Sequence, residues 1–436
     1  MIGMGRVGDG ARQPAARIAA AGGDRPARRR RAAQMGPLAC RAVVNRAVLS
    51  LAVYQVLASN RTGVLVVYFP LFLVVARGAP VELALLFTSI AWLGSSLIGP
   101  VAGRLSDRVG RRKPFLVAGE LGALPCYLAI PFLPGYLDAG IAFVVGTTIL
   151  GLGSPALNAF ISDVNRVSER GGSYGFLNAA SGAGSIFGFL AVGLLVSALG
   201  LDYLFYFAAG AMACVATYVL VAVREPPHEA TPVVSSPIRL GPLLAFSTVV
   251  SIRTLAVGAV GAFVALWAVT LGGNAFDVSL IAVTGLVVVT FGGSGAGRLI
   301  DRRGEWSGLV WGTAAQTASW TLFLVASTWL LLPGAQVLNQ IGYVLVSPAM
   351  LVWVSRIAPP DRRAEYLGIY ALINSGLWSL GPSAGAWAFS LGGGPAVFGF
   401  SIAITLGSLA AIGLFQLHYR GRIEAASRGP TEAVGR

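Results

Sequence analysis

Long apolar runs recur along the whole chain, and no other feature restricts its fold as much. Between polar loops they mark twelve segments, near 47–76, 82–103, 114–134, 139–162, 173–199, 202–223, 243–271, 277–297, 307–331, 334–355, 366–391 and 396–418. Each is about as long as a helix needs to cross the hydrocarbon core of a bilayer. A soluble fold is excluded by charge: Asp, Glu, Lys and Arg make up 11% of the 436 residues, against about 25% in soluble domains. In lipid the backbone satisfies its own hydrogen bonds, which for isolated spans means helix. The expected fold class is therefore an all-α membrane protein of twelve transmembrane helices, numbered here as spans 1 to 12.

The loops give the topology. Of the connections from odd to even spans, Arg77 is the one basic residue, whereas the even-to-odd connections hold Arg104, Arg108, Arg111, Arg112 and Lys113, then Arg166 and Arg170, then Arg224 and Arg239. The second half repeats this with Arg298, Arg302 and Arg303, then Arg356, Arg362 and Arg363. Retention of positive charge on the cytoplasmic side puts both termini there. It also explains the net charge of +14 without a nucleic-acid partner, since no basic stripe with interleaved aromatics occurs. The expected organisation is a disordered basic tail over 1–45, a six-helix bundle over 46–223, a Pro-rich linker over 224–242, a second bundle over 243–418 and a tail over 419–436.

Cys40, Cys126 and Cys214 match no metal spacing and read as small apolar residues. His228 and His418 fall outside the spans, which excludes a histidine relay in the membrane. No nucleophile–base pair, paired carboxylates or metal cluster lies in the spans, so neither an enzyme nor a cofactor is expected.

The two halves are related in sequence. Gly103-Arg-Leu-Ser-Asp107-Arg recurs as Gly297-Arg-Leu-Ile-Asp301-Arg, Ser154-Pro-Ala as Ser347-Pro-Ala, and Ser59-Asn-Arg61-Thr as Ser251-Ile-Arg253-Thr, at offsets of 192 to 194 residues. Parallel repeats related about the membrane normal are a transporter architecture with the solute site between the halves. The two bundles should accordingly be pseudo-symmetric.

The segment Gly103 to Lys113, GRLSDRVGRRK, resembles the signature that the major facilitator superfamily carries between helices 2 and 3, with a degraded copy at Gly297 to Gly304. The resemblance covers residues 46 to 420 and implies alternating access between two six-helix halves. It implies a charge latch at the cytoplasmic ends, formed by Gly103, Asp107, Arg108, Gly110, Arg111 and Arg112 with Asp301 and Arg302. The glycines turn the chain tightly and the carboxylates pair with the guanidinium groups. The drug–proton antiporter branch carries an arginine in helix 4 where Thr147 stands here, so that branch is not indicated.

Three charged residues lie well inside spans: Arg61, Arg253 and Glu120. A charge at a helix centre costs about 2.5–3.5 kcal/mol on insertion scales, so each needs a reason. Arg61 and Arg253 occupy matching positions in spans 1 and 7, helices that line the cavity in this superfamily. They would either clamp a carboxylate or phosphate across it or pair structurally with carboxylates such as Glu120 or Asp163. Glu120 would be such a partner or a carrier of a coupling proton. Asn60, Tyr68, Asn158, Asn339, Gln340, Tyr343, Asn374 and Trp378 complete a polar set of candidate solute contacts, with interhelical bonding as the alternative role for each.

These features predict a secondary transporter of a small solute, an efflux permease in a bacterial inner membrane, monomeric, with the proton as candidate coupling ion. An organic-anion carrier using the paired arginines is the alternative within transport. A non-transporting receptor or assembly factor is the alternative outside it, and the polar set argues against that.

Overall fold

The computed structural model describes residues 46–164, 170–223, 240–358 and 363–427. The basic tail, most of the linker and the final residues lie outside these ranges. Every element of the described chain is helical.

Ten described segments are long and apolar enough to cross a membrane. One of them, Glu365–Leu417, contains two spans, because Gly392 and Gly393 break the helix and Gly393 takes a left-handed φ of 65°. Span 9, Glu305–Val325, has 21 residues, a rise of about 32 Å, and completes the twelve. Span 1 is Arg46–Arg77, span 2 Val81–Val109, span 3 Lys113–Ala129, span 5 Arg170–Leu199 and span 6 Tyr203–Ala222. Span 8 is Ala275–Arg303 and span 10 Leu332–Ile357.

Two spans are broken where the sequence pattern gave single helices. Span 4 is Tyr136–Leu150 followed by Gly153–Val164. Pro155, which has no N–H to donate, stands at the start of the second piece. Span 7 is Leu240–Ser251 followed by Arg253–Thr270, so the break falls beside a buried arginine. Span 12 was expected to end at 418, and its helix continues to Ser427.

The two sets of six spans pack alike. Span 1 lies on spans 5 and 6, span 2 on span 4, and span 3 on spans 4 and 6. Span 7 likewise lies on spans 11 and 12, span 8 on span 10, and span 9 on spans 10 and 12. Between the bundles the contacts are span 5 with span 8, span 2 with span 11, and span 1 with span 7. Exchanging the bundles maps this set onto itself, which is the pseudo-symmetry the repeats imply.

Glycine makes the tightest of these contacts. Gly184 and Gly188 of span 5 sit so close to span 1 that a Cβ would lie 2.3 Å from the Val56 carbonyl oxygen and 1.7 Å from that of Asn60. Gly381 and Gly385 of span 11 do the same against span 7, where a Cβ on Gly381 would lie 2.6 Å from the Leu255 oxygen. Both are Gly-x-x-x-Gly pairs, the spacing that lets helix backbones approach where lipid offers no hydrophobic drive to associate. The Arg-poor end is tied by Arg77, which donates to the Leu133 and Pro131 carbonyls and to Asp202 at 2.9–3.0 Å, and covers the Phe72 ring.

Candidate functional site

A cavity of about 220 Å3 lies between the bundles at mid-depth. Spans 1, 5, 7, 8, 10 and 11 line it, with Val66, Phe189, Val260 and Ile281 among its apolar residues. Its polar contribution comes from one side: Gln336, Asn339 and Gln340 of span 10, with Trp378 of span 11. Among the described residues, no charged side chain belongs to the lining. Asn339 and Trp378 are thus where the sequence placed them, and Gln336 is an addition. Trp378 is fixed by an edge-on contact with Trp92 of span 2, ring centres 5.6 Å apart.

Neither intramembrane arginine lines this cavity; each guanidinium turns into its own bundle. Arg61 donates through one nitrogen to both carboxylate oxygens of Glu120 at 2.5 Å, and both side chains are buried. The clamp across the cavity is therefore replaced, for Arg61, by the pairing with Glu120. Burying a charge is tolerable when a partner neutralises it, and span 3 supplies that partner. Arg253 is equally buried but donates to a neutral group, the Gln316 carbonyl oxygen of span 9, at 2.9 Å. The Gln316 amide in turn donates to Asn339 at 3.4 Å, which links Arg253 to the cavity wall. Gln316 was absent from the sequence-derived set. It lies 196 residues after Glu120, whereas the repeat offset of 192–194 carries Glu120 onto Gly312, Thr313 or Ala314, so aligning the halves does not point to it.

Tyr68 does not line the cavity either. Its hydroxyl bonds the Ala275 carbonyl at 2.5 Å and the Ser279 hydroxyl at 2.6 Å, and Ser279 reaches the Phe189 carbonyl at 2.5 Å. Spans 1, 5 and 8 are joined by this chain on the Arg-poor side of the cavity. Nearer mid-depth, the Ser89 hydroxyl donates to the Ser379 carbonyl at 2.6 Å and Ser96 meets the Ser379 hydroxyl at 3.2 Å, joining spans 2 and 11.

The remaining candidates are dispersed. Asn60 is buried next to Arg61, and its side-chain oxygen has no hydrogen-bond partner among the described residues. The same holds for the Asn374 side-chain oxygen, while the Asn374 backbone carbonyl accepts from Thr254. Tyr343 is exposed on span 10. The side chain of Asn158 lies outside the described residues, as do those of Asp107 and Asp301.

Of the signature segment, Gly103 packs within van der Waals reach of Pro155, and Gly110 ends span 2 with φ 67° and an N–H bonded to the Ser106 carbonyl. Arg112 is buried and donates to the Ser106 hydroxyl at 2.8 Å; Arg108, Arg111 and Arg302 are exposed. Lys113 caps the end of span 6, donating to the Leu220 and Val223 carbonyls. The Arg356–Glu305 ion pair joins spans 10 and 9 within the second bundle.

The profile described as the Major Facilitator Superfamily matches residues 51–315 and 244–434. The chain is 31% identical over 300 residues to a class C tetracycline resistance protein of Escherichia coli, covering 64% of this chain and 73% of that protein. It is 34% identical over 139 residues to the human voltage-gated purine nucleotide uniporter SLC17A9, a match spanning 30% of each chain. The crystal structure of the nucleoside transporter NupG superposes with a TM-score of 0.71 at 13% identity, covering 85% of this chain and 99% of NupG.

Proposed function

The chain belongs to the major facilitator superfamily, and on that premise we propose that it is a secondary active transporter exporting a small solute by alternating access. The observation that carries this reading is the cavity between the bundles: enclosed by spans of both, largely apolar, uncharged, with three amides and an indole on one side. Such a lining suits a compact, mostly apolar solute whose hydrogen-bonding groups face span 10 and whose ring stacks on Trp378. At about 220 Å3 it is smaller than the roughly 300–1,000 Å3 of typical small-molecule pockets, so loading requires the bundles to part.

The Tyr68–Ser279–Phe189 chain closes the Arg-poor end in this conformation. Entry is then from the Arg-rich, cytoplasmic end, and release follows when that chain opens. The signature glycines, arginines and the carboxylates of Asp107 and Asp301 form the latch of the opposite end in the alternate state. Export agrees with the similarity to a tetracycline resistance protein, because a transporter confers resistance most directly by removing the compound. A bacterial inner membrane and the proton as coupling ion complete the proposal, with Glu120 the candidate carrier. A protonated Glu120 presents to Arg61 what Gln316 presents to Arg253, a neutral acceptor.

The test is flux from proteoliposomes for neutral, cationic and anionic aromatic compounds under an imposed proton gradient, with Trp378→Ala and Asn339→Ala beside the wild type. Transported compounds should move about tenfold more slowly in the variants, the effect of one lost stacking or hydrogen-bonding contact. Equal flux in all three proteins would remove the cavity from the transport path, and no flux above empty liposomes would remove transport itself.

A further inference from the structure

We infer that Arg253 is the centre of an anion-binding site inside the second bundle, taking a carboxylate or halide where the first bundle supplies its own carboxylate. The two bundles bury equivalent arginines and treat them differently. Arg61 is neutralised by both oxygens of Glu120. Arg253 is 3% exposed and bonds one neutral amide oxygen. Its Nε, like that of Arg61, has no hydrogen-bond partner among the described residues; what sets Arg253 apart is that no described carboxylate pairs with it. A buried cation left in that state is strongly unfavourable, because the desolvation cost has no compensating partner.

The groups around it suit an anion. Ser251, two residues before Arg253, and Thr313, one turn from Gln316, are fully buried with hydroxyl oxygens that have no hydrogen-bond partner among the described residues. Each carries a donor still to be used. Access is through Asn339, which lines the cavity and also accepts from Gln316 at 3.4 Å. That length is beyond the usual range for such a bond, so the amide gives way at little cost. The inference rests on the proposed transport cavity for its route of entry and is independent of it for binding.

Two sources could supply the anionic group: an inorganic anion resident in the bundle, or an ionised group on the transported solute. The experiment is thermal unfolding of the purified full chain in detergent, titrated with chloride, acetate or benzoate at ionic strength held constant with a bulky sulfonate. Wild type should show a saturable rise in Tm of about 2–4 °C. Gln316→Glu, which gives Arg253 the partner that Arg61 already has, should abolish it. A shift with chloride identifies a resident inorganic anion, and a shift with the carboxylates alone identifies a group of the solute. No saturable shift in wild type with any of the three overturns the site, as does an undiminished shift in folded Gln316→Glu. If that variant does not fold, Arg253→Gln takes its place and must lose the shift. Because the readout is binding, it stands whether or not the flux experiments detect transport.

Discussion

Gln316 is to Arg253 in the second bundle what Glu120 is to Arg61 in the first, a buried hydrogen-bond acceptor on the third span of its bundle. Each accepts a hydrogen bond from the buried arginine of its own bundle, at 2.9 Å from Arg253 and 2.5 Å from Arg61. The pair shows that this fold accommodates both a charged and a neutral partner for a buried arginine.

That equivalence separates two substitutions at Glu120. Glu120→Ala leaves Arg61 buried without its counter-charge, keeping only the Ala58 carbonyl at 3.3 Å as acceptor, a change that costs about 3–5 kcal/mol in comparable buried pairs, and thermal unfolding in detergent should show it. Glu120→Gln reproduces the arrangement around Arg253 and should fold. If Glu120 carries the coupling proton, flux in Glu120→Gln should lose its dependence on an imposed proton gradient. Gradient-dependent flux equal to wild type would assign Glu120 a purely structural role.

Glycine positions make a second, independent contrast. A Cβ on Gly188 would overlap the Asn60 backbone oxygen, while one on Gly210 of span 6 would meet nothing within 4 Å. Gly188→Ala must push span 1 off span 5, and we expect little folded protein by size-exclusion chromatography. Gly210→Ala should elute as wild type and unfold at or above its Tm, since alanine is favoured over glycine in a helix by about 0.5–1 kcal/mol. Equal behaviour of the two variants would mean the crossing is looser than the backbone positions indicate.

How much of this was legible in the sequence depended on whether the signal was local or relational. The spans were readable because apolar length alone defines them, and the pseudo-symmetry because three motifs recur at offsets within two residues of one another. Glu120 was marked by being a carboxylate within a span. Gln316 carries no charge, sits among other polar residues of span 9 and falls two to four residues past the position the repeat gives for Glu120, so no local or repeat signal singles it out. Tyr68 was open between a solute contact and an interhelical bond, and its hydroxyl bonds span 8; facing the cavity and facing span 8 differ by a rotation that periodicity does not encode. The Gly-x-x-x-Gly pairs of spans 5 and 11 were visible, but what they press against is a property of the packed bundle.

The Tyr68 assignment leads to a prediction about conformational state. Tyr68→Phe removes the hydroxyl that joins Ala275 and Ser279 while keeping the buried ring. A net hydrogen bond is worth about 0.5–1.5 kcal/mol, so the state open at the Arg-poor end should become roughly 2- to 10-fold more populated. With the three native cysteines replaced, a cysteine at Val67 in the cavity should react faster with an impermeant thiol reagent applied from that side. An unchanged rate would show that closure there depends on apolar packing and not on this bond.

Arg77 and Arg356 test how far position decides the worth of a surface-end arginine. Arg356 reaches the buried Glu305 carboxylate with a side chain 65% exposed, so Arg356→Ala removes little packing and should cost about 1–2 kcal/mol through the carboxylate it leaves unpaired. Arg77 is only 13% exposed at its side chain. It satisfies two carbonyls at the turn after span 3, holds Asp202 at the start of span 6, and lies over Phe72 with its guanidinium carbon 4.7 Å from the ring centre. Removing it leaves those acceptors to be resolvated and the ring uncovered, so Arg77→Ala should lower Tm clearly more than Arg356→Ala does. Arg77→Lys should recover part of the loss, because an ammonium can reach a carbonyl or Asp202 but lacks the planar fork to hold all three at once. If both alanine variants unfold together with wild type, spans 1, 3 and 6 are held at that end by packing alone.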